Sequence, residues 1–191
     1  VYLHKTVIAA DTLFYNILKR ARYLISKGEK VNGYAPLIYF LSRDVDEKAF
    51  RTDKEALQMF ALIDDGDVLS TIKTWTSHSD RVLRTLCSNL IYRRLPAMIV
   101  SVDDFDEDTI KLCRTESKNA LGLSDEEVNF FVNTGQLVNH AYTFDDSKIE
   151  VLFKSGRCVD ISEASDQLDR RFLEKTVKKY FLCYPKLTYS K

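Results

Sequence analysis

The beginning of the chain carries a long amphipathic pattern that constrains the fold more than any other stretch. Its apolar residues recur at intervals of four and three, at Leu3, Val7, Ala10, Phe14, Ile17, Ala21 and Leu24. This spacing predicts a helix of about six turns that buries one face. Gly28 follows the pattern, and glycine commonly ends helices.

The start of this helix has no predicted N-cap. No Ser, Thr, Asp or Asn precedes it, and the chain has no initiator Met. Because the first N–H groups of a helix need acceptors, we expect the helix to continue upstream. Position 1 would then be a cut inside a longer protein, and a processed N-terminus is the alternative.

The rest of the first half also has helical patterns. Thr52 and Glu55 have the spacing of a capping box, and Asp67 and either Ser79 or Asp80 are further candidate caps. We expect about five helices in this half, ending near Arg94. The last of them has a predicted buried face of Val82, Leu83, Leu86, Leu90 and Ile91.

Past Pro96 the pattern changes to a mixture of strands and helices. AMIVSV, LVNHAYTF, KIEVLFK, RCVDI and YFLCYP have the composition of strands. The second and third of these would form a hairpin through Asp145-Asp146-Ser147, and Ser155-Gly156 would form a tight turn. Helices are predicted from Asp106 to Leu121, from a capping box at Ser124, and from about Asp166 to Lys179.

The fold class predicted by these patterns is α+β. An all-helical part precedes an α+β part with a mainly antiparallel sheet. The change in pattern near Leu95 suggests two domains, residues 1–95 and residues 96–191.

Composition narrows the classes of function. Lys plus Arg and Asp plus Glu both number 28, so the chain offers no overall charge for nucleic acid or an anionic membrane. The cysteines form no CxxC pair and no apolar run approaches a membrane span, so we expect a soluble, cytoplasmic protein with reduced thiols. The four cysteines are Cys87, Cys113, Cys158 and Cys183.

Two acidic clusters are candidates for metal binding, but each has a simpler explanation. Asp104, Asp106 and Asp108 imitate the first ligands of a calcium loop, yet the sixth and twelfth positions lack the Gly and Glu that such a loop needs. Acids at a helix start explain the run better. Asp64-Asp65-Gly66-Asp67 is similarly typical of a turn with helix caps.

Nucleophilic catalysis has little support in the sequence. The only histidines are His4, His78 and His140, and no GxSxG, HExxH or phosphate-binding Gly-rich loop occurs. His140 lies in a strand pattern, and His78 lies at a predicted helix junction.

Two basic features remain. Arg93 and Arg94 end a helix, where they either complement the helix dipole or form an anion site. The late helix is also rich in basic residues, although acids interleave with them and favour a solvated face. These basic residues are Arg170, Arg171, Lys175, Lys178 and Lys179.

Four stretches, in order, resemble a known family. Tyr2-Leu3-His4-Lys5, IDDGDVLSTIKTW, LIYRRLP and KKYFLCYPK are together similar to the C-terminal half of HD-domain phosphohydrolases, in the bacterial branch related to deoxynucleoside triphosphate triphosphohydrolases. In that family a His…His-Asp…Asp set binds a divalent metal that activates water for attack on a phosphate ester. This chain has no His-Asp dipeptide, and His78-Ser79-Asp80 has one residue too many.

The resemblance therefore implies a chain with no catalytic residue, no metal ligand and no cofactor of its own. The divalent metal is expected in a parent protein, upstream of Val1. By itself this chain is expected to be inactive, and to form part of a pocket wall and an oligomer interface.

The resemblance also implies contacts to nucleotide. The position of Tyr2 corresponds to a substrate contact, and those of His4 and Lys5 to phosphate contacts at a regulatory site between subunits. Arg93 matches another phosphate-contacting position. The family has a Lys shortly after that Arg, where this chain has Pro96 and Ala97. For His4 and Lys5 the alternative is an exposed helix flank.

The predicted function is thus the C-terminal part of a metal-dependent phosphohydrolase acting on nucleotide phosphate esters, a dNTP among the candidates. The expected partners are further copies of the chain and nucleotide, with no membrane. A non-enzymatic protein- or ligand-binding α+β module is the alternative, and a nucleic-acid binder using the late basic helix is a second one.

Overall fold

The structure, a computed structural model, describes residues 4–139, 150–160 and 177–186. These residues form an α+β fold in which helices dominate the first half, as predicted. The helices are α1 (Lys5–Ser26), α2 (Ala35–Leu41), α3 (Glu47–Thr52), α4 (Lys54–Ala61), α5 (Asp65–Trp75), α6 (Arg81–Ile91) and α7 (Glu107–Leu121), with a 3₁₀ helix at Glu127–Phe130. The strands are β1 (Ala97–Ser101), β2 (Asn133–Asn139), β3 (Glu150–Leu152), β4 (Cys158–Asp160) and β5 (Val177–Tyr184).

The strands form two sheets. One is a three-stranded antiparallel sheet in the order β1-β5-β2, and the other pairs β3 with β4, with Val151 opposite Val159. Ser155-Gly156 makes the turn between β3 and β4, as predicted, and Gly156 has a φ of 81°.

One prediction about this half needs correction, and another lies largely outside the described residues. The predicted hairpin of LVNHAYTF and KIEVLFK lies largely outside the described residues, and where the structure describes these stretches β2 pairs with β5 and β3 with β4. The predicted late helix lies mostly outside the described residues too, but its last residues, 177–179, belong to β5.

Helix α1 has an N-cap that the sequence did not suggest. His4 has an extended backbone, with φ −73° and ψ 132°, and its Nδ1 accepts the Thr6 N–H at 3.3 Å. The predicted continuation of the helix through His4 is therefore wrong, and the missing cap no longer argues for an upstream helix. Gly28 ends the helix as predicted, with a φ of 79°.

The buried face of α1 is also rotated from the predicted seam in its first half. Ile17, Ala21 and Leu24 are buried as predicted, but Val7 is 40% exposed, and Ala10 and Phe14 are only half-buried. The residues buried instead are Ile8, Ala9, Leu13, Asn16 and Arg20. Two polar side chains therefore belong to the buried face of this helix.

Acidic caps explain where most of the other helices begin. Asp53 accepts the Glu55 N–H and caps α4, whereas the predicted cap, Thr52, lies within α3. Asp64 and Asp67 form a reciprocal capping box at α5, so the cap lies three residues before the predicted one.

The helix starts predicted at Asp106 and at the Ser124 capping box are confirmed, and Asp106 is the N-cap of α7. Asp106 accepts the Thr109 N–H at 2.7 Å and its hydroxyl at 2.8 Å, which lower the pKa of Asp106. Ser124 and Glu127 form the predicted capping box, although the helix that follows is a 3₁₀ helix. Both acidic clusters in the sequence are thus explained by helix starts.

The helical core forms where α1 and α5 pack against α6. Ile17, Ile72, Trp75, Leu83 and Leu86 are each at most 1% exposed. The Trp75 indole N–H donates to the Asn32 carbonyl at 2.6 Å, so this large side chain is buried with its polar atom paired.

A buried ion pair joins α1 to the start of α6. Arg20 Nε and Nη2 donate to the two carboxylate oxygens of Asp80 at 3.1 and 2.7 Å, and the side chains are 8% and 12% exposed. Asp80 also accepts the Leu83 N–H at 2.7 Å and so caps α6, as predicted. The Arg20 guanidinium lies over the rings of Tyr23 and Phe130.

We expect this pair to make stability depend on acid pH. Burial raises the pKa of Asp80, but hydrogen bonds from Arg20 and Leu83 more than offset this, so the pKa lies below its ordinary value of 3.8. A lowered folded-state pKa stabilises the protein above the unfolded-state pKa, and this contribution disappears as pH falls through the folded-state pKa. The advantage of the wild type over Asp80→Asn in free energy of unfolding should be constant above about pH 5 and shrink below about pH 4. Urea titrations across this range measure it; an advantage that persists undiminished at the lowest pH would contradict the assignment.

The four cysteines are free thiols. Cys87 and Cys183 are buried, and burial raises the pKa of each to about 12. Cys113 is half-buried and Cys158 is exposed. Two of the four thiols are therefore buried.

The chain forms two compact units. Described residues 4–99, 106–133 and 182–186 form the first, and residues 100–105, 134–139, 150–160 and 177–181 form the second. The predicted division into two domains at residue 95 stays a prediction. None of the described helices is long and apolar enough to cross a lipid bilayer.

Candidate anion-binding site

Lys5 is the first residue of α1, a position that disfavours a cation. The N-terminal end of a helix carries partial positive charge, and the first turn of α1 contains no acid. The exposed Lys5 ammonium and the helix dipole would therefore both be stabilised by an anion.

Arg93 follows the end of α6 in a backbone conformation that normally favours glycine. The Arg94 N–H donates to the Asn89 carbonyl at 2.7 Å and the Arg93 N–H to the Leu90 carbonyl at 3.1 Å, the two bonds of a Schellman motif. Arg93 has a φ of 55°, the only positive value at a non-glycine residue in the described part of the chain. A strained backbone retained at an arginine points to a role for its side chain.

Lys5 and Arg93 line the same small cavity. Its volume is about 270 Å³, and Lys186 is its third cationic residue. The other lining residues are Thr6, Ala9, Leu95, Pro96, Ala97 and Met98. No acid lines it, and none of the three cations pairs with a carboxylate within the described ranges.

A second cavity, of about 400 Å³, shares part of its lining with the first. The two share Arg93, Leu95, Pro96 and Lys186. Arg94 also lines the larger cavity, so every charged residue that lines either cavity is a cation. An anionic ligand fits the electrostatics of both.

The structure brings together two of the four predicted contact residues. Tyr2 lies outside the described residues. His4 is exposed, is occupied as the N-cap of α1, and is not among the residues lining either cavity. The assignment of phosphate contacts at Lys5, Arg93 and His4 stays a prediction.

Of the remaining histidines, only His78 is described, and it lines neither cavity. His78 lies between α5 and α6, where its Nδ1 accepts the Asp80 N–H at 3.0 Å, which agrees with a junction residue. His140 lies outside the described residues. Among the residues that the structure describes, no three His, Cys, Asp or Glu side chains cluster closely enough to hold a metal ion.

Lys186 is the functional candidate that sequence reasoning missed. It is the last residue of KKYFLCYPK, a stretch whose only functional signal is its resemblance to the family. Lys5, Arg93 and Lys186 are far apart in the chain, and nothing in their local patterns joins them. The fold brings them to one cavity.

Comparison with solved structures relates this fold to an enzyme. The structure of a phosphohydrolase from Bacteroides thetaiotaomicron VPI-5482 is similar, with a TM-score of 0.78 and 35% sequence identity. The match covers 97% of this chain and 46% of the phosphohydrolase, so the chain spans less than half of that protein's length. No protein-family model matches the chain, and no curated protein matches it. The chain has a phosphohydrolase-like fold.

Proposed function

We propose that this chain is part of a metal-dependent phosphohydrolase of the HD-domain type that acts on nucleotide phosphate esters, with dNTPs as the favoured substrates. Its own contribution is a phosphate-binding cavity formed by Lys5, Arg93 and Lys186. The observation that carries the proposal is the convergence of these three cations on one cavity without an acid. The phosphohydrolase-like fold supports it independently.

The electrostatics of the cavity favour a polyanion. Like charges held in a small space repel one another, and a bound phosphate chain would relieve that repulsion. Arg93 offers a planar fork of N–H donors that suits two phosphate oxygens, and each Lys offers a compact charge. A di- or triphosphate could contact all three.

The hydrolytic step is not assigned to the described residues. The divalent metal of the proposed reaction would need carboxylate and imidazole ligands, and those residues contain no group of three that fits one. We assign metal binding and water attack to another part of the parent protein. We further propose that nucleotide bound at this cavity promotes association between copies of the chain.

Replacing Lys5 tests the phosphate site. In isothermal titration calorimetry with inorganic tripolyphosphate, Lys5→Ala should weaken binding by about tenfold, because one charge-assisted contact is lost. Lys48→Ala is the matched control, since Lys48 is an exposed lysine near the start of another helix. The Lys48→Ala variant should bind tripolyphosphate like the wild type. Raised salt should weaken tripolyphosphate binding by the wild type and by both variants. Equal affinities of Lys5→Ala and Lys48→Ala would refute the proposed site.

A further inference from the structure

The larger cavity carries a set of uncharged polar side chains that the phosphate site does not use. Thr12 and Asn16 lie four residues apart on α1, and Thr85 and Asn89 lie four residues apart on α6, so each pair shares one helix face. All four side chains line the cavity, as does Asn133. Each of the two packed helices α1 and α6 thus contributes a pair of polar residues to the larger cavity.

Asn16 is buried with part of its hydrogen-bonding capacity unused. It is 2% exposed, and its Nδ2 donates to Asn133 Oδ1 at 2.6 Å. Its Oδ1 accepts only a bond of 3.5 Å from Asn133 Nδ2, which also donates to the Asn129 carbonyl at 3.1 Å. A carboxamide has two N–H donors and an oxygen with two lone pairs. Within the described ranges, one side-chain N–H of Asn16 therefore has no acceptor, and its Oδ1 accepts only one long hydrogen bond. Both groups can bind another partner.

Asn89 and Thr85 have still more free capacity. Both are half-buried, and neither side chain makes a hydrogen bond to another described residue. Buried polar groups are usually paired, and those that face a cavity are paired by a ligand or water. These side chains therefore suit a ligand that both donates and accepts hydrogen bonds.

Apart from the three cations Arg93, Arg94 and Lys186, the remaining walls of the cavity are apolar. Leu13, Leu86, Phe130, Phe131 and Cys183 line it and are each at most 7% exposed. Its volume of about 400 Å³ falls in the range of small-molecule sites, roughly 300–1,000 Å³. Apolar walls with a few polar groups are the usual environment for a flat heteroaromatic ring.

We propose that the larger cavity binds the base of a nucleotide whose phosphates lie in the smaller cavity. The inference rests on the proposed function, because it assigns the phosphates to Lys5, Arg93 and Lys186. The residues that the cavities share place the base side and the phosphate side of one ligand next to each other. Carboxamides bind a base edge with an adjacent donor and acceptor, as asparagine binds adenine. Adenine is therefore the base of choice.

The test compares dATP with inorganic tripolyphosphate on the purified 191-residue chain by calorimetry. The wild type should bind dATP at least about tenfold more tightly than tripolyphosphate, because the base adds hydrogen bonds and apolar contact. Asn89→Leu, which keeps the side-chain size, should remove most of that preference and leave tripolyphosphate affinity within about twofold. Thr85→Val provides a second variant in case Asn89→Leu does not fold. Ser88→Ala on the same helix is the control, since Ser88 lines neither cavity.

The outcomes separate this inference from the phosphate site. A preference for dATP that is lost in Asn89→Leu or Thr85→Val but kept in Ser88→Ala supports it. Equal binding of dATP and tripolyphosphate by the wild type overturns the base site and leaves the phosphate site standing. A preference that survives both cavity variants also overturns it. Absence of binding by either probe refutes the proposed function, and the inference with it.

Discussion

Replacing Arg20 with alanine should destabilise the protein by about 3–5 kcal/mol, the cost typical of breaking a buried ion pair by removing one partner. The Asp80 carboxylate would stay buried without its cation, since its side chain is only 12% exposed. The rings of Tyr23 and Phe130 would also lose the guanidinium that packs over them. Guanidinium chloride unfolding followed by tryptophan fluorescence measures the loss, because Trp75 lies in the core.

A neighbouring ion pair supplies the matched control. Arg22 pairs with Asp44, whose side chain is fully exposed, so Arg22→Ala should cost less than about 1 kcal/mol. The double variant Arg20→Met, Asp80→Asn removes both charges and keeps an N-cap, and should cost less than Arg20→Ala alone. If Arg20→Ala and Arg22→Ala cost the same, the buried pair contributes no more than an exposed one.

The sequence predicted the helices better than it predicted the surfaces by which they pack. Spacing and acidic caps indicated α6 and α7, since those signals lie within a few residues of each helix start. The apolar residues alone misplace the buried face of α1, because two polar residues belong to that face. Asn16 and Arg20 are buried there by partners 117 and 60 residues away, which no local pattern reveals.

The candidate site shows the same limit. For Lys5 the only functional signal in the sequence is the resemblance to a family. For Arg93 the helix-end position left dipole complementation and an anion site both open. Lys186 and the cavity asparagines had no such support, since tertiary packing alone brings them together. The positive φ of Arg93 could not be predicted from the sequence either. Any residue type can follow a helix, and only the backbone structure shows which one adopts the left-handed conformation.

Arg93→Gly should raise stability and weaken phosphate binding in the same protein. Glycine occupies the left-handed conformation without steric cost, so relief of the φ of 55° should stabilise the fold by about 1 kcal/mol. Loss of the guanidinium should weaken tripolyphosphate binding by roughly 10- to 100-fold, the range expected when charge-assisted hydrogen bonds are lost. Stability would rise while affinity falls, because the backbone strain of Arg93 affects folding and its side chain binds phosphate.

Arg93→Ala separates the two effects. Alanine loses the same side-chain contacts but keeps the strained backbone, so it should match Arg93→Gly in affinity and be about 1 kcal/mol less stable than it. Arg114→Ala, at an exposed position on α7, controls for the loss of one positive charge and should change neither quantity. Calorimetry and denaturant unfolding on the same preparations provide both readouts. Equal stability of the glycine and alanine variants would show that the backbone is not strained, and wild-type affinity in both would remove Arg93 from the phosphate site.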